Sequence, residues 1–511
     1  MAEPAVTRAA APAVDYDDIQ GLVRFDHGHL THACFLLLRV ANKRRARIWL
    51  AQAPITSAVA VDPPPPVALH VALSSAGLRA LGVPDDIVEG FSPEFVSGLG
   101  RDESRARRLG DVGDSAPSRW QWGTGERRPD VLVMLYATTD TLDAWRDRIS
   151  AQVEVAFELL TCLATDALSG TEPFGFPIGL TQPKIDWARR RAVEDRDLLH
   201  WTNVACLGEF VLGYPNEYAG YTDRPLIDPA RDGESGLLPR AEDAPDRADV
   251  GRNGSYLVLR QLRQDVRGFW RFLDEHAGGN AQRRQHLAEA MIGRAMNGEP
   301  LVGRTGRAID GIDPQHDASS AFDYGADLHG LRCPQGAHVR RSNPRNGDVP
   351  SGSDGTIGRV VRKFGFDSAA REQDLVASAR LHRLLRRGRS YGRRLSLDEA
   401  LADWPTGGGR ADDEGMGLHF MCLNASIARQ FEFVQGTWLG GTRFNGLPEE
   451  SDPLVGQRDP PGEGEAGDHF SVPRADGQPA RVEGLPTFVT VRGGAYFFLP
   501  GLRALRYLAT V

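Results

Sequence analysis

A chain of 511 residues exceeds what one ordinary core organises, so two domains with large loops are expected. A hydrophobic fraction of 41% and a charged fraction of 25% fit a globular protein, and a formal net charge of −8 argues against a dedicated nucleic-acid binder, which must offset phosphate with a basic face. Five scattered cysteines without a CxxC pair argue against a zinc ribbon or a disulfide framework, and no apolar run reaches the roughly 18 residues of a membrane span.

In chain order, residues 1–18 read as a disordered tail. Positions 1–16 lack an apolar stretch behind a basic start, so no secretory signal is read and a cytoplasmic location is expected. The run Asp26-His27-Gly28-His29-Leu30-Thr31-His32 has the spacing of a metal cluster, but no second carboxylate lies close by, and a structural or solvated reading is preferred. Phe35-Leu36-Leu37-Leu38-Arg39 then reads as an apolar strand, with Trp49 ten positions after the arginine. The pattern returns as Tyr256-Leu257-Val258-Leu259-Arg260, with Trp270 again ten positions on. Each copy predicts a strand leading into an amphipathic helix, and the equal spacing points to an internal duplication.

Further strands are predicted over 67–73, 130–136, 153–160, 381–385, 417–423 and 495–499. Helices are predicted over 140–151, 262–275, 281–296, 368–377 and 425–438. Several strands are half-polar, which favours antiparallel sheets with helices on one face, an α+β arrangement, over a doubly wound parallel sheet. Residues 223–250, rich in Pro, Gly, Asp and Arg, read as the connection between an N-terminal half at 19–222 and a C-terminal half at 251–511. Residues 345–355 and 452–482 read as long polar loops.

Chemistry concentrates in Cys333-Pro334-Gln335-Gly336-Ala337-His338-Val339-Arg340-Arg341-Ser342-Asn343-Pro344-Arg345. A Pro- and Gly-containing turn delivers one histidine, and three arginines follow it. An imidazole to bind iron and cations to neutralise propionates are what a haem site needs. Taken alone, a single loop histidine is more often structural. The stretch resembles the C-P-x-x-A-H-[IV]-R-[RK]-x-N-P-R segment of the dye-decolorising peroxidases, in particular their larger members. The likeness extends in order through Ile19 to Leu22, Phe91 to Phe95, Leu109 to Asp114, Asn253 to Val258, and Arg429 to Gln435. It implies two ferredoxin-like α+β halves with one haem b in the C-terminal half, His338 as the iron ligand, and Arg340 and Arg345 on the cofactor.

On the opposite side of the iron, Leu384 to Gly392 resembles the segment that supplies the family's distal arginine, a role that falls on Arg386. A fixed guanidinium there stabilises negative charge on bound peroxide. Gly417-Leu418-His419-Phe420-Met421 resembles the strand lining that pocket. Alternation puts Leu418 and Phe420 on one face and His419 on the other. A metal-bound histidine normally donates its second N–H to a carboxylate, a role the resemblance gives to Asp452, with Glu432 as the alternative.

One departure matters. The family reads E-P-F-G-F-x-D-G where this chain has Glu172-Pro173-Phe174-Gly175-Phe176-Pro177-Ile178-Gly179. Gly175 and Gly179 keep the turn along the haem. Ile178 stands at the position of the family's catalytic aspartate and cannot carry a proton, which typically costs on the order of a hundred- to ten-thousand-fold in the assisted step. The expected function is therefore a haem-dependent peroxidase-like oxidoreductase using peroxide and a small organic substrate, with altered proton shuttling. The alternatives are a haem enzyme with a non-peroxidase biosynthetic activity, or a non-catalytic haem-binding protein. No nucleic-acid or membrane partner is expected, and a homodimer is the candidate assembly. Trp187, Trp201, Tyr391 and Trp404 are candidate electron-transfer aromatics, although such residues more often pack.

Overall fold

The computed structural model describes residues 13–190, 203–304, 318–347, 378–402, 415–447, 449–456, 458 and 468–511. The first repeat unit forms β1 (His32–Val40) and α1 (Lys43–Gln52). Asn42 caps the helix by accepting a hydrogen bond from the Arg45 N–H at 3.0 Å, which satisfies a donor the helix itself cannot. Then come β2 (Val67–Leu73), β3 (Val131–Ala137), α2 (Leu142–Val153) and β4 (Phe157–Ala164). Their antiparallel order is β2-β3-β1-β4. A βαββαβ chain in that order is a ferredoxin-like half.

The second unit repeats the plan. It comprises β5 (Ser255–Gln264), α3 (Val266–His276), the short β6 (Leu385–Arg386) and β7 (Arg389–Tyr391), β8 (Gly417–Asn424) and β9 (Val489–Leu499). Asp265 caps α3 by accepting from the Gly268 N–H at 2.8 Å. Between β8 and β9 runs a π-helical stretch, Ala428–Glu432 and Val434–Leu439. The order β6-β8-β5-β9 matches that of the first half, and Phe498 of β9 pairs with Leu73 of β2, so the two halves share one sheet. Trp49 and Trp270 are both buried, each at the same place in its unit.

The strands β1, β2 and β3 are apolar on both faces because two clusters cover them. Leu36, Leu38, Val71 and Val133 face the helices. Phe35, Leu37, Met134 and Tyr136 pack beneath Leu207, Phe210 and Tyr214 on the other side. Each such side chain contributes about 1.5–3 kcal/mol of transfer free energy when fully buried.

Several expected boundaries move. The strand expected over 153–160 starts four residues later, because Val153 is the buried last residue of α2. Of the tail expected over 1–18, residues 1–12 lie outside the described residues. Asp18, by contrast, is buried, accepting from the side chain of Asn253 at 2.7 Å and from the Arg503 N–H at 2.6 Å, so the ordered chain begins ahead of residue 19. The helix expected over 368–377, Trp201 and Trp404 lie outside the described residues. Among the described residues no helix is long and apolar enough to cross a membrane.

Candidate active site

The face of the C-terminal sheet that carries Leu418 and Phe420 forms one wall of a cavity of about 550 Å³, a size typical of cofactor and small-molecule sites. The opposite wall begins with α4 (His338–Ser342), whose first residue lines the cavity. His338 Nδ1 lies 2.9 Å from Asp452 Oδ2. Asp452 is fully buried, and its Oδ1 accepts from the Leu454 and Val455 N–H groups at 2.9 Å each. Burial pushes the His338 pKa down, but the Asp452 carboxylate outweighs it and the net shift is upward. Burial likewise pushes Asp452 up, and the imidazole and the two N–H donors bring it below its ordinary value. This anchoring fixes the tautomer with its proton on Nδ1 and leaves Nε2 open to the cavity.

Across the cavity stands Arg386, deep in the protein but open to the cavity space. Its backbone N–H donates to Gln182 Oε1 at 3.1 Å and its guanidinium donates to the Leu180 carbonyl at 2.6 Å. Burial lowers its pKa, and the charge of Arg386 acts on His338, as expected of groups facing one another. Leu180 belongs to the turn that carries Ile178. That turn is held by Glu172, whose carboxylate accepts from the Phe174 and Phe176 N–H groups at 3.0 Å each. Gly175 (φ 101°) and Gly179 (φ 78°) adopt backbone conformations that side chains rarely tolerate. Ile178 and Gly179 are among the residues that line the cavity, and Gly175 is not.

Alternation along β8 is observed. His419 points to the other face, stacked on Tyr391 with ring centroids 4.4 Å apart and 3.1 Å from the Ala164 carbonyl. Glu432, the alternative partner for His338, instead holds Arg105 at 2.7 Å and accepts from Tyr496 at 2.9 Å. Arg345 lines the cavity, its guanidinium 3.5 Å from the Phe322 ring centroid and bonded to the Ser320 carbonyl at 2.9 Å. Burial lowers its pKa to about 9, which still leaves it charged at neutral pH.

Arg340 is turned elsewhere. It lies against Asp327 at 3.1 Å, donates to the Cys333 carbonyl at 2.7 Å and stacks on Tyr324, and it does not line the cavity. Two steps along a helix turn a side chain by about 200°, so a residue two beyond an inward-facing histidine faces away.

Other lining residues escaped the sequence reading. Arg294 donates to Thr181 Oγ1 at 2.7 Å and faces Phe322 with its guanidinium 5.2 Å from the ring centroid. His382 stacks on Phe433 at 3.7 Å and is kept neutral by burial, with a pKa lowered to about 4. Asp111 and Arg260 form a buried ion pair. Periodicity cannot find such a pair, because its members lie 149 positions apart and each looks like an ordinary polar residue in its own segment.

His27, His29 and His32 do not assemble a metal site. His27 Nε2 meets His70 Nε2 at 2.8 Å, and among the described residues no group of three His, Cys, Asp or Glu side chains is placed to hold an ion. Of the two imidazoles that line the cavity, His338 has a carboxylate behind Nδ1, whereas His382 Nδ1 lies against the Arg429 carbonyl and its ring is stacked on Phe433. A metal ion there needs its remaining ligands from a prosthetic group that carries its own donors, and a lining that combines apolar side chains with Arg294 and Arg345, grouped about Phe322, suits a macrocycle bearing carboxylates.

No family model matches the chain. It is 30% identical over 456 residues to the multifunctional dye peroxidase DyP2 of an Amycolatopsis species, covering 86% of this chain and 82% of that protein. Over 542 residues it is 26% identical to the dye-decolorizing peroxidase AauDyP1 of Auricularia auricula-judae, covering 98% and 88%. In fold it is similar to the crystal structure of a fungal DyP-type peroxidase from Auricularia auricula-judae, with a TM-score of 0.69 at 24% identity over 98% of this chain and 100% of that one. An ancestral D-type dye-decolorizing peroxidase superposes with a TM-score of 0.69 at 23% identity, over 97% and 99%.

Proposed function

Because the chain belongs to the dye-decolorizing peroxidase family, we propose that it is a haem-dependent peroxidase taking one haem b per chain, with peroxide and a small organic reductant as its substrates. The observation that carries this reading is the imidazole of His338, anchored at Nδ1 by Asp452 and open at Nε2 toward a cavity of cofactor size. When bound, haem supplies the redox centre through which electrons pass from reductant to peroxide.

The chain's own residues do the rest. Asp452 raises the donor strength of His338 and holds its plane. Arg345 and Arg294, grouped about the Phe322 ring, supply cations for the propionates. Arg386 presents a fixed positive charge to an anionic ligand on the far side, where Leu418 and Phe420 exclude water. Ile178 leaves that side without the acid the family places there, which favours a second reading, a haem enzyme of this fold with a different oxidation as its task. We place the protein in the cytoplasm, because its five scattered cysteines suit a reducing compartment better than a disulfide framework.

The test is haem titration of the purified protein followed by its absorption spectrum and peroxide-dependent oxidation of a phenol or dye. The expected result is an endpoint at one haem per chain and turnover that needs peroxide. Stoichiometric haem with no peroxide reaction favours the second reading, and no haem uptake overturns both.

A further inference from the structure

Three carboxylates among the described residues line the cavity: Asp26, Asp111 and Glu172. Asp26 is exposed at the rim and accepts from the Gly28 N–H at 2.9 Å. Both oxygens of Glu172 are taken, Oε1 by Phe176 and Oε2 by Phe174 and Gln264. Asp111 differs. It is 2% exposed, one oxygen is held by the Arg260 guanidinium, and Oδ2 is buried with no hydrogen-bond partner. Leaving a buried acceptor unsatisfied is costly, and an orphan carboxylate oxygen in a residue that lines a cavity is a place for a proton.

Its position suits that role. Arg260 is the direct cross-strand partner of Phe420, so both side chains rise from the same face of the sheet. Cys422, two residues further along β8, is the partner of Arg386. Asp111, Arg260, Phe420 and Arg386 therefore stand on one wall, the wall facing His338. Beyond Arg260 the charged groups are Arg105 and Glu432, which hold each other at 2.7 Å, with Tyr496 donating to Glu432. Burial raises the Asp111 pKa against the opposing pull of Arg260, which makes it a better proton acceptor than an exposed carboxylate.

We propose that Asp111, held by Arg260, is the group that takes protons from and returns them to small acids entering the cavity, in the place left empty of acid by Ile178. The inference rests on the reading of the cavity as a haem site. The step is a simple proton transfer. A neutral acid H–X loses its proton to the Asp111 carboxylate, the anion X⁻ stays beside Arg386, and the proton returns when X departs.

Hydrogen cyanide is the probe, because at neutral pH it arrives as the neutral acid and binds as the anion. In the haem-loaded wild type, cyanide binding should produce the infrared carbonyl stretch of a newly protonated carboxylic acid. In Asp111→Asn with full haem content, that band should be absent and the association rate should fall by about a hundred-fold or more, the range typical of a lost acid–base group. Ile178→Asp placed in the Asp111→Asn background should restore the rate. A wild type that binds cyanide without any new carboxylic-acid band overturns the proposal, even if the variant fails to fold. So does an unchanged rate in a haem-loaded Asp111→Asn protein. A wild type that takes up no haem overturns the haem reading itself, an outcome seen in the titration before cyanide is added.

Discussion

Nδ1 of His338 and Oδ2 of Asp452 stand 2.9 Å apart although 114 positions separate the two residues, and this contact sets the orientation of the His338 imidazole at the cavity. The carboxylate is itself pinned by two backbone N–H groups, so the ring has little freedom to turn. Asp452→Asn removes the negative charge and keeps the shape. Haem affinity should fall by about ten- to a hundred-fold, the range for partners of metal-bound histidines. Transfer of haem to an excess of a haem-scavenging apoprotein measures it, and an unchanged transfer rate would remove Asp452 from the site.

Arg386 lies across the cavity from that ring and is anchored by Leu180 and Gln182. Arg386→Leu should slow the reaction with peroxide by about a hundred- to a thousand-fold, as for other fixed donors aimed at developing charge, while haem content stays near that of the wild type. Stopped-flow kinetics and haem content on the same samples separate the two effects. An equal loss of haem would make Arg386 a structural residue.

Ile178 sits on a turn already shaped by Glu172, Gly175 and Gly179, so a carboxylate placed there meets a prepared backbone. Ile178→Asp should raise the rate of peroxide reaction by on the order of a hundred-fold or more. No change in single-turnover kinetics would mean that the cavity has been remodelled beyond this one position.

The histidine-rich loop near the N-terminus yields a pH prediction instead of a metal site. Burial, chiefly, lowers the pKa of His27 to about 4, from an unfolded value near 6.5. Between those values the unfolded chain holds more protons than the fold, so stability falls as pH drops through that window and is fully present above it. The contribution is roughly 3 kcal/mol for the single ring. His27→Asn, which tolerates the φ of 54° at this position, should flatten the dependence between pH 6.5 and 4. Urea midpoints across that range measure it, and parallel curves for wild type and variant would refute the assignment.

Legibility in the sequence followed the range over which each signal acts. Strand periodicity and the spacing from Arg39 to Trp49 and from Arg260 to Trp270 are local, and they located both repeat units. The order of strands in the sheet matches the two-halves reading because each half closes its own βαββαβ unit. The end of α2 was misplaced by a few residues because Val153 suits a strand as well as a buried helical turn. Charge composition says nothing about which side of a short helix a residue occupies, and Arg340 is turned to Asp327 and the Cys333 carbonyl. Its neighbour Arg341 is likewise turned to carbonyls, those of Trp438 and Gly441. The Asp111–Arg260 pair was invisible for a different reason. It is a tertiary contact between segments from the two halves, and neither residue breaks the pattern of its own strand or loop.

The central claim is that His338 binds the iron through Nε2. Resonance Raman spectroscopy of the reduced, haem-loaded protein tests it most directly. The wild type should show a low-frequency iron–histidine stretch, shifted upward relative to Asp452→Asn because the carboxylate strengthens the imidazole as a donor. His338→Ala should lose the band, and free imidazole should restore one. A stretch of unchanged frequency in His338→Ala would place the iron on another residue and contradict the site described above.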